Sequence, residues 1–237
     1  MVDLGCGSGE LTWELARRWP RARVTGIDNS GEMLARARAG DAARGAGPAG
    51  TGAAVEFVEA DIADLGAWRA TPPFDVVLSN AALQWVPDHD RLILGLASKV
   101  APGGILAVQM PGNFDSPSHQ AIREAAREPR WRDLLSELGR AGDPVRPLPW
   151  YVETLRALDC AVDAWETTYL HLLRGDRPVL EWIRGTALRP LLARIPPAEH
   201  AEFLDSLQRR LKEAYPPSGD FTIFPFRRLF FVAHRTA

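Results

Sequence analysis

The sequence has few cysteines and no long apolar run. Its 237 residues include two cysteines, Cys6 and Cys160, too few for a disulfide framework in a chain of this length. No Cys/His cluster has the spacing of zinc ligands, so we expect no metal. A run of about 18 apolar residues is missing, as is a basic segment followed by an apolar one at the start. We therefore predict neither a membrane span nor a signal peptide, and a cytoplasmic location.

Lysine is scarce as well, since Lys99 and Lys212 are the only two. Lys and Arg together number 28 against 30 Asp and Glu, a formal net charge of -2. We attribute the abundant arginine to codon choice in a GC-rich genome, so it is not evidence for phosphate-rich partners. The balance disfavours a nucleic-acid binder. At this length we expect a single α/β domain with an inserted cap, acting as a monomer.

Short apolar runs alternate with helical patterns in the first half of the chain. The predicted strands are Val2–Leu4, Arg23–Ile27, Val55–Val58, Phe74–Leu78 and Ile105–Met110. The predicted helices contain Leu11 to Trp19, Met33 to Arg38, Ile62 to Trp68 and Leu92 to Val100. This alternation predicts a parallel sheet covered by helices on both faces. The Gly- and Ala-rich segment from Gly40 to Ala54 is interpreted as a tolerated surface insertion.

The alternation stops after Met110. The following elements are predicted to be a helix at Ser118–Glu128, a Pro-rich bend at Arg140–Pro149, a helix at Tyr151–Leu158, a strand at Ala161–Leu172, helical stretches at Val179–Ala193 and Ala198–Ala214, and a strand at Arg227–His234. We thus expect seven strands with a helical cap before the last one. The predicted division is a cofactor-binding half at 1–112, cap and substrate segments at 113–149 and 174–220, and remaining core elements at 150–173 and 221–237.

The sharpest motif lies where the first strand turns into the first helix. Asp3 precedes three glycines at alternate positions, Gly5, Gly7 and Gly9. Glycine permits φ > 0 and a close backbone approach to a ligand, and the helix N-terminus offers free N–H groups. A dinucleotide fold needs its third glycine three positions after the second, where this chain has Glu10. This spacing argues against NAD.

Two further carboxylates follow neighbouring strands. Asp28 ends the second strand, where a carboxylate can accept both hydroxyls of a ribose; it can equally cap the helix that starts near Ser30. Asp61 and Ile62 follow the third strand, where they can address the amino group and the ring of adenine. A helix N-cap remains the alternative for Asp61.

Together these residues resemble the class I S-adenosylmethionine (SAM)-dependent methyltransferases, whose glycine motif has the form acid-x-G-x-G-x-G. The resemblance implies a Rossmann-like, mostly parallel sheet and SAM as cofactor. It also implies that Asp3 and the glycine loop face the methionine moiety and Asn80 the sulfonium. Around the nucleoside it places Asp28 at the ribose, Met33 and Ile62 at the adenine faces, and Asp61 at the adenine amino group, and Asn29 is a further expected cofactor-binding residue. The Asn-Pro-Pro-Tyr type motif of amino-methylating nucleic-acid enzymes is absent.

A closer resemblance is to the trans-aconitate 2-methyltransferase family. It rests on the segments Ser79–His89, Leu106–Pro111, Trp165–Tyr169, Ala187–Pro190 and Phe226–Phe230. It implies formation of a methyl ester on one carboxylate of a small tricarboxylic acid, with positioning but no catalytic side chain.

Such an acceptor needs cationic anchors. Arg189 is the first candidate, although its stem could instead cover apolar neighbours on the surface. Arg227 and Arg228 face opposite sides of a strand, so at most one can point into the site and the other is expected in solvent. The candidate walls or donors are Gln84, Trp85, Tyr151 and His171. His89 is expected to cap or border a helix, and Cys6 to fill space.

Three alternatives stay open. The acceptor can be another small molecule methylated on oxygen, nitrogen or carbon, and only the cap decides this. The chain can be a SAM-binding protein without catalysis. Members of the family carry a few tens of residues before the glycine motif, so we expect either a misassigned start or a truncated chain, inactive without that segment. A nicotinamide-dependent oxidoreductase fails on glycine spacing.

Overall fold

The computed structural model describes residues 1–43, 54–64, 73–140 and 143–236. Its strands are β1 (Val2–Leu4), β2 (Arg23–Asp28), β3 (Ala54–Glu59), β4 (Phe74–Asn80), β5 (Val100–Pro111), β6 (Cys160–Leu173) and β7 (Thr222–Arg235). Its α-helices are α1 (Glu10–Arg18), α2 (Gly31–Ala43), α3 (His89–Ser98), α4 (Pro117–Ala126), α5 (Arg132–Arg140), α6 (Leu148–Arg156), α7 (Pro178–Arg184), α8 (Arg189–Leu192) and α9 (His200–Ala214). Short 3₁₀ turns occupy Leu83–Trp85 and Pro197–Glu199.

The chain forms two compact units. The first unit comprises Met1–Met110, Pro144–Glu166 and Leu229–Ala237, and the second comprises Pro111–Asp143 and Thr167–Arg228. The first unit contains β1 to β4 with α1, α2, α3 and α6. The second contains α4, α5 and α7 to α9. Each unit is built around its own apolar cluster.

The strands form one sheet in the order β3-β2-β1-β4-β5-β7-β6. The five strands from β3 to β5 are parallel neighbours. Strand β7 runs antiparallel to β5, because the Gly112 amide donates to the Arg227 carbonyl and His234 lies against the Gly103 carbonyl. The predicted seven-stranded, mostly parallel sheet is confirmed. Strand order reverses between β1 and β4, where parallel sheets open a crevice at their carboxyl edge.

Apolar residues on the central strands explain why this sheet is buried. Val2, Leu4, Ile27, Val77 and Leu106 are at most 2% exposed. Burying one such side chain contributes about 1.5–3 kcal/mol. Helix α1 begins after Gly9, with Glu10 in its first turn and arginines in its last, which matches the helix dipole.

Several predicted boundaries were wrong. Strand β5 begins at Val100, five residues before Ile105, since Gly103 adopts a φ of 75° that lets the chain continue through the Pro-Gly-Gly sequence. Strand β7 begins at Thr222 because Thr222 and Phe224 are buried on one face. Helix α5 was not predicted. The Ile62–Trp68 helix and the Gly40–Ala54 segment lie largely outside the described residues.

The second unit packs its helices around aromatic and aliphatic side chains. Trp131 and Phe203 are fully buried and meet edge to face with ring centroids 5.1 Å apart. The predicted helices before the last strand are confirmed as α7, α8 and α9. In the described part of the chain, none of the helices has the length and apolar character needed to cross a membrane.

Candidate active site

The glycine loop between β1 and α1 has a left-handed backbone at every glycine. Gly5, Gly7 and Gly9 have φ of 70°, 55° and 80°. A Cβ at Gly5 would lie 2.2 Å from Ala82 Cβ, whereas a Cβ at Gly7 would meet nothing within 4 Å. The loop therefore packs tightly at Gly5 and is open at Gly7, where a ligand can approach the backbone.

Asp28 joins the glycine loop to the start of α2. Its Oδ2 accepts the Gly7 amide at 2.9 Å, and its Oδ1 accepts the Ser30 amide at 2.9 Å. A carboxylate has about four lone-pair sites, so two remain for ribose hydroxyls. The local bond to Ser30 and a ribose contact are thus compatible.

Asp3 lies beneath the loop and is 1% exposed. Its Oδ2 accepts a 2.6 Å hydrogen bond from Thr12 Oγ1. Burial raises the pKa of Asp3 to about 6, and the nearby Asp28 charge adds to the rise. Burial likewise raises the pKa of Cys6 to about 12, so this thiol fills space and is not a nucleophile.

The residues predicted around adenine lie after β2 and β3. Met33 is 36% exposed on α2, and Asn29 is exposed just before that helix. Ile62 is buried, and its Cδ1 would lie 3.6 Å from a Cβ at Gly5. Asp61 is exposed, and its Oδ1 accepts the Ala63 amide at 2.8 Å. This bond is to a residue nearby in the chain, as the alternative role of Asp61 as a helix N-cap requires. It leaves Oδ2 available.

The end of β4 leads into a tight turn. Asn80 is the exposed last residue of the strand, and Ala81 follows with a φ of 55°. Gln84 is buried, and its Nε2 donates to the Ala81 carbonyl at 2.6 Å. Gln84 Oε1 has no hydrogen-bond partner among the described residues. Trp85 is 60% exposed.

Nine of the ten residues predicted to hold the cofactor end or follow the four adjacent parallel strands β1 to β4, and the tenth, Asp3, is within β1. The carboxyl ends of these strands meet at one edge of the first unit. An open glycine, a carboxylate with spare acceptor sites and apolar side chains suit a nucleoside that carries a charged tail. The site therefore fits SAM.

Tyr151 is buried in the core, in contrast to its prediction as a pocket wall. It is fully buried, with its ring stacked on Phe231 at 5.0 Å. Its hydroxyl lies 2.5 Å from His89 Nδ1 and accepts the Arg146 amide at 2.9 Å. Tyr151 has no exposed surface to offer an acceptor, and His89 is buried at the start of α3 while Asp88 serves as the N-cap.

In the second unit, His171 and Arg228 share aromatic neighbours. His171 lies 4.5 Å from Trp182 and 6.0 Å from Phe226, measured between ring centroids. The Arg228 guanidinium lies 5.5 Å from the Tyr169 ring and 5.4 Å from Phe226. Buried His171 Nε2 has no hydrogen-bond partner in the described ranges. These five residues form one cluster of rings and a cation.

The other two arginines lie apart from that cluster. Arg227 Nε donates to the Gly112 carbonyl at 2.6 Å, and its guanidinium pairs with Asp115 at 2.9 Å. It lines a cavity of about 600 Å³ together with Asn113 and Thr168. Arg189 is exposed at the start of α8. Arg227 and Arg228 are both half-buried, so neither side chain is fully in solvent.

Sequence reasoning missed Tyr169, Trp182 and Phe226 as neighbours of the predicted residues. Tyr169 and His171 alternate along β6, and Phe226 and Arg228 alternate along β7. Side chains two apart on a strand share a face, so this alternation could have identified two of the three, Tyr169 and Phe226. Trp182 lies on α7, and no local pattern indicates its contact with His171.

Comparison with known proteins agrees with this geometry. A family model described as a methyltransferase domain matches residues 1–104. A trans-aconitate 2-methyltransferase of Streptomyces avermitilis is 48% identical over 237 residues, covering 100% of this chain and 85% of that protein.

Two solved structures share the fold. A protein of Bacillus subtilis named YcgJ has a TM-score of 0.63 at 12% identity, covering 100% of this chain and 91% of that one. A phosphoethanolamine N-methyltransferase 2 of Haemonchus contortus, solved with S-adenosylhomocysteine, has a TM-score of 0.55 at 18% identity, covering 100% of this chain and 48% of that one. From the full-length relative and the SAM site, we conclude that this chain belongs to the trans-aconitate 2-methyltransferase family of SAM-dependent methyltransferases.

Proposed function

We propose that this chain transfers the methyl group of SAM to a carboxylate oxygen of a small tricarboxylic acid, with trans-aconitate as the first candidate. The observation that carries the proposal is the 48% identity to a relative of that name over the whole chain. Three arginines of the second unit, Arg189, Arg227 and Arg228, support the proposal because a guanidinium group suits a carboxylate. Arginine forks bind carboxylates through two parallel hydrogen bonds.

The first unit would hold the donor. Two acceptor sites of the Asp28 carboxylate would bind the ribose, and Ile62 and Met33 would pack on the adenine. The open backbone at Gly7 would receive the tail, with Asn29, Asp61 and Asn80 around it. When bound, SAM supplies an electrophilic methyl group on a sulfonium whose departure leaves a neutral thioether.

No side chain has to remove a proton in this reaction. A carboxylic acid with a pKa of about 4 is already ionised at pH 7, so its oxygen can attack without a general base. The chain's residues would align the acceptor and exclude water. In the first unit, Gln84 and Trp85 are the proposed acceptor-binding residues. In the second unit, Arg189, Arg228 and His171 are the proposed carboxylate-binding residues, and Arg227 is a further candidate beside its cavity.

The remaining assignments are also proposals. We assign donor binding to 1–112 and the cap and substrate segments to 113–149 and 174–220, while the remaining core elements 150–173 and 221–237 contribute His171, Arg227 and Arg228. The net charge of -2 supports a small-molecule partner over nucleic acid. Because SAM and tricarboxylic acids are metabolites of the cytoplasm, we place the reaction there and expect a monomer, which light scattering of the purified chain tests.

A methyl-transfer assay tests the reaction itself. The purified chain is incubated with SAM and, separately, with trans-aconitate, cis-aconitate, citrate, a phenol and a primary amine. We expect a methyl ester of a tricarboxylate, identified by mass spectrometry and by its hydrolysis in alkali. Asp28→Ala serves as the control with a weakened donor site. Methylation of the phenol or the amine alone would contradict the proposed acceptor class.

A further inference from the structure

We propose that His89 and Tyr151 form a positioning pair that holds the turn Leu83–Trp85 in place, and with it Gln84 and Trp85. Neither residue is accessible to a ligand, since His89 is 1% exposed and Tyr151 is 0% exposed. They would act on the acceptor through the turn. This inference rests on the proposed function, because it assigns Gln84 and Trp85 to acceptor binding.

The hydrogen bonds of the pair have a single consistent direction. The Leu83 carbonyl can only accept, so His89 Nε2–H donates to it at 2.9 Å. His89 Nδ1 is then an acceptor, and the Tyr151 hydroxyl donates a hydrogen bond to it at an N–O distance of 2.5 Å. The Tyr151 oxygen in turn accepts the Arg146 amide at 2.9 Å. Each donor has one acceptor, and the chain of bonds runs from the segment before α6 to the turn.

The turn depends on this support. Its backbone–backbone hydrogen bonds run from Trp85 N–H to the Ala82 carbonyl at 3.0 Å and from Val86 N–H to the Leu83 carbonyl at 2.9 Å. Residues on both sides of it, Ala81 and Asp88, have φ of 55°, which is unfavourable for side chains with a Cβ. A bond to the Leu83 carbonyl therefore fixes a segment that local backbone preference would release.

A merely structural pair would not need these polar groups. Burying a histidine and a tyrosine hydroxyl requires full hydrogen bonding, whereas apolar residues would fill the same space without that cost. The pair also joins parts of the chain that are 62 residues apart. The turn lies on the glycine loop, where Ala82 Cβ occupies the space next to Gly5. A shift of the turn would therefore alter the acceptor side of the donor site.

Tyr151→Phe is the first test, since it removes the hydroxyl and keeps the stacked ring. We expect the KM for trans-aconitate to rise roughly tenfold, the effect of losing about one hydrogen bond, while the Kd for SAM stays within about twofold. Leu155→Val is the matched control. Leu155 is also fully buried on α6, and its loss of a methylene lowers the melting temperature while every hydrogen bond of the pair is kept.

Two further measurements separate positioning from general loosening. In a Trp85→Ala background, Tyr151→Phe should raise the KM by a further factor of less than two, because the turn has already lost the contact of Trp85 with the acceptor. Hydrogen exchange of the amides of Trp85 and Val86, measured without acceptor, should be faster in Tyr151→Phe and unchanged in Leu155→Val.

The outcomes are separable. An unchanged KM in Tyr151→Phe, an equal rise in Leu155→Val, or full additivity with Trp85→Ala would overturn the positioning role. If the unmodified chain methylates no tricarboxylate, the proposed function fails, and the exchange experiment still decides whether the pair holds the turn. Unchanged exchange in Tyr151→Phe would then refute the pair by itself.

Discussion

The Asp28 carboxylate accepts the Gly7 amide at 2.9 Å, which ties the end of β2 to the loop that follows β1. The two residues are 21 positions apart; Asp28 ends β2 and Gly7 follows β1, and these two strands pair in parallel. Gly7 has open space on the side where a Cβ would stand. The carboxylate thus holds the loop on one side and keeps acceptor sites free on the other.

Replacing Asp28 with Ala should weaken SAM binding by about 2 kcal/mol or more, because hydrogen bonds to a charged acceptor are lost. Calorimetry on the folded variant measures the affinity. A SAM analogue without the two ribose hydroxyls separates this loss from a loosened loop. With that analogue the wild-type chain and Asp28→Ala should bind alike, and a remaining difference would assign the effect to the loop.

Gly7→Ala and Gly5→Ala should fail in different ways. Gly5→Ala places a Cβ 2.2 Å from Ala82 Cβ, so it should lower the melting temperature strongly. Gly7→Ala meets no atom and adds only the penalty for a left-handed φ, about 1–2 kcal/mol, but it should also weaken SAM binding. Gly103→Ala is the control, since Gly103 has a φ of 75° and open space in β5. Equal SAM affinity in Gly7→Ala and Gly103→Ala would show that the ligand does not approach Gly7.

Arg189→Ala should raise the acceptor KM by the equivalent of about 1–3 kcal/mol while SAM affinity is preserved. Arg189→Lys should not restore the KM, because an ammonium lacks the two-pronged geometry of a guanidinium. Arg184→Ala is the charge-matched control, since Arg184 is exposed on α7 and pairs with Glu181. If Arg189→Ala has the kcat/KM of the wild-type chain, the anchor moves to Arg228 or Arg227.

With SAM saturating, kcat should stay nearly flat between about pH 6 and pH 9, where neither the substrate carboxylates nor the arginines titrate. Burial also lowers the pKa of His89, which favours the neutral imidazole. His171→Gln should change the acceptor KM more than the pH profile. A tenfold rise in kcat around pH 7 that His171→Gln abolishes would reveal a general base and refute the carboxylate mechanism.

The free energy of unfolding should depend on pH because of Asp3. Burial raises its pKa from 3.8 to about 6, so the folded state binds more protons than the unfolded state between those values. This contribution favours folding below about pH 4 and is lost as pH rises through about 6. Asp3→Asn removes the buried charge and should raise the free energy of unfolding at pH 8 by about 1–3 kcal/mol.

Urea unfolding at pH 4.5 and pH 8 measures the Asp3 effect. Asp133→Asn, which changes an exposed carboxylate on α5, should leave both values unchanged. An Asp3→Asn variant with the wild-type difference between the two pH values would show that Asp3 ionises without cost.

The strands of the sheet could be predicted because each follows from a local pattern. Apolar runs such as Phe74 to Leu78 are too short for helices and too apolar for exposed strands, and the glycines mark the crossover to α1. The first residues of β5 and β7 could not be predicted, because Gly103 and Pro225 interrupt the apolar pattern while the backbone stays extended. Helix α5 precedes the Pro-rich bend, and the buried residues Trp131 and Leu135 give too short an apolar pattern to predict a helix.

The candidate site was predictable only where a motif is local. Asp28 and the glycine loop lie at fixed distances from strand ends, so chain position indicates their place. Tyr151 and His89 meet only through tertiary packing, and no periodicity in either segment indicates their hydrogen bond. The sequence therefore suggested Tyr151 as a pocket wall, and the structure places it in the core.

The two left-handed residues Ala81 and Asp88 enclose a segment that lies outside the hydrogen-bond ladder of the sheet. Substitutions at Gln84 and Trp85 leave every strand pairing intact, because neither residue belongs to a strand. A library of variants at these two positions would therefore sample new acceptors on an unchanged donor scaffold. Directed evolution of this enzyme toward other carboxylic acids should begin there.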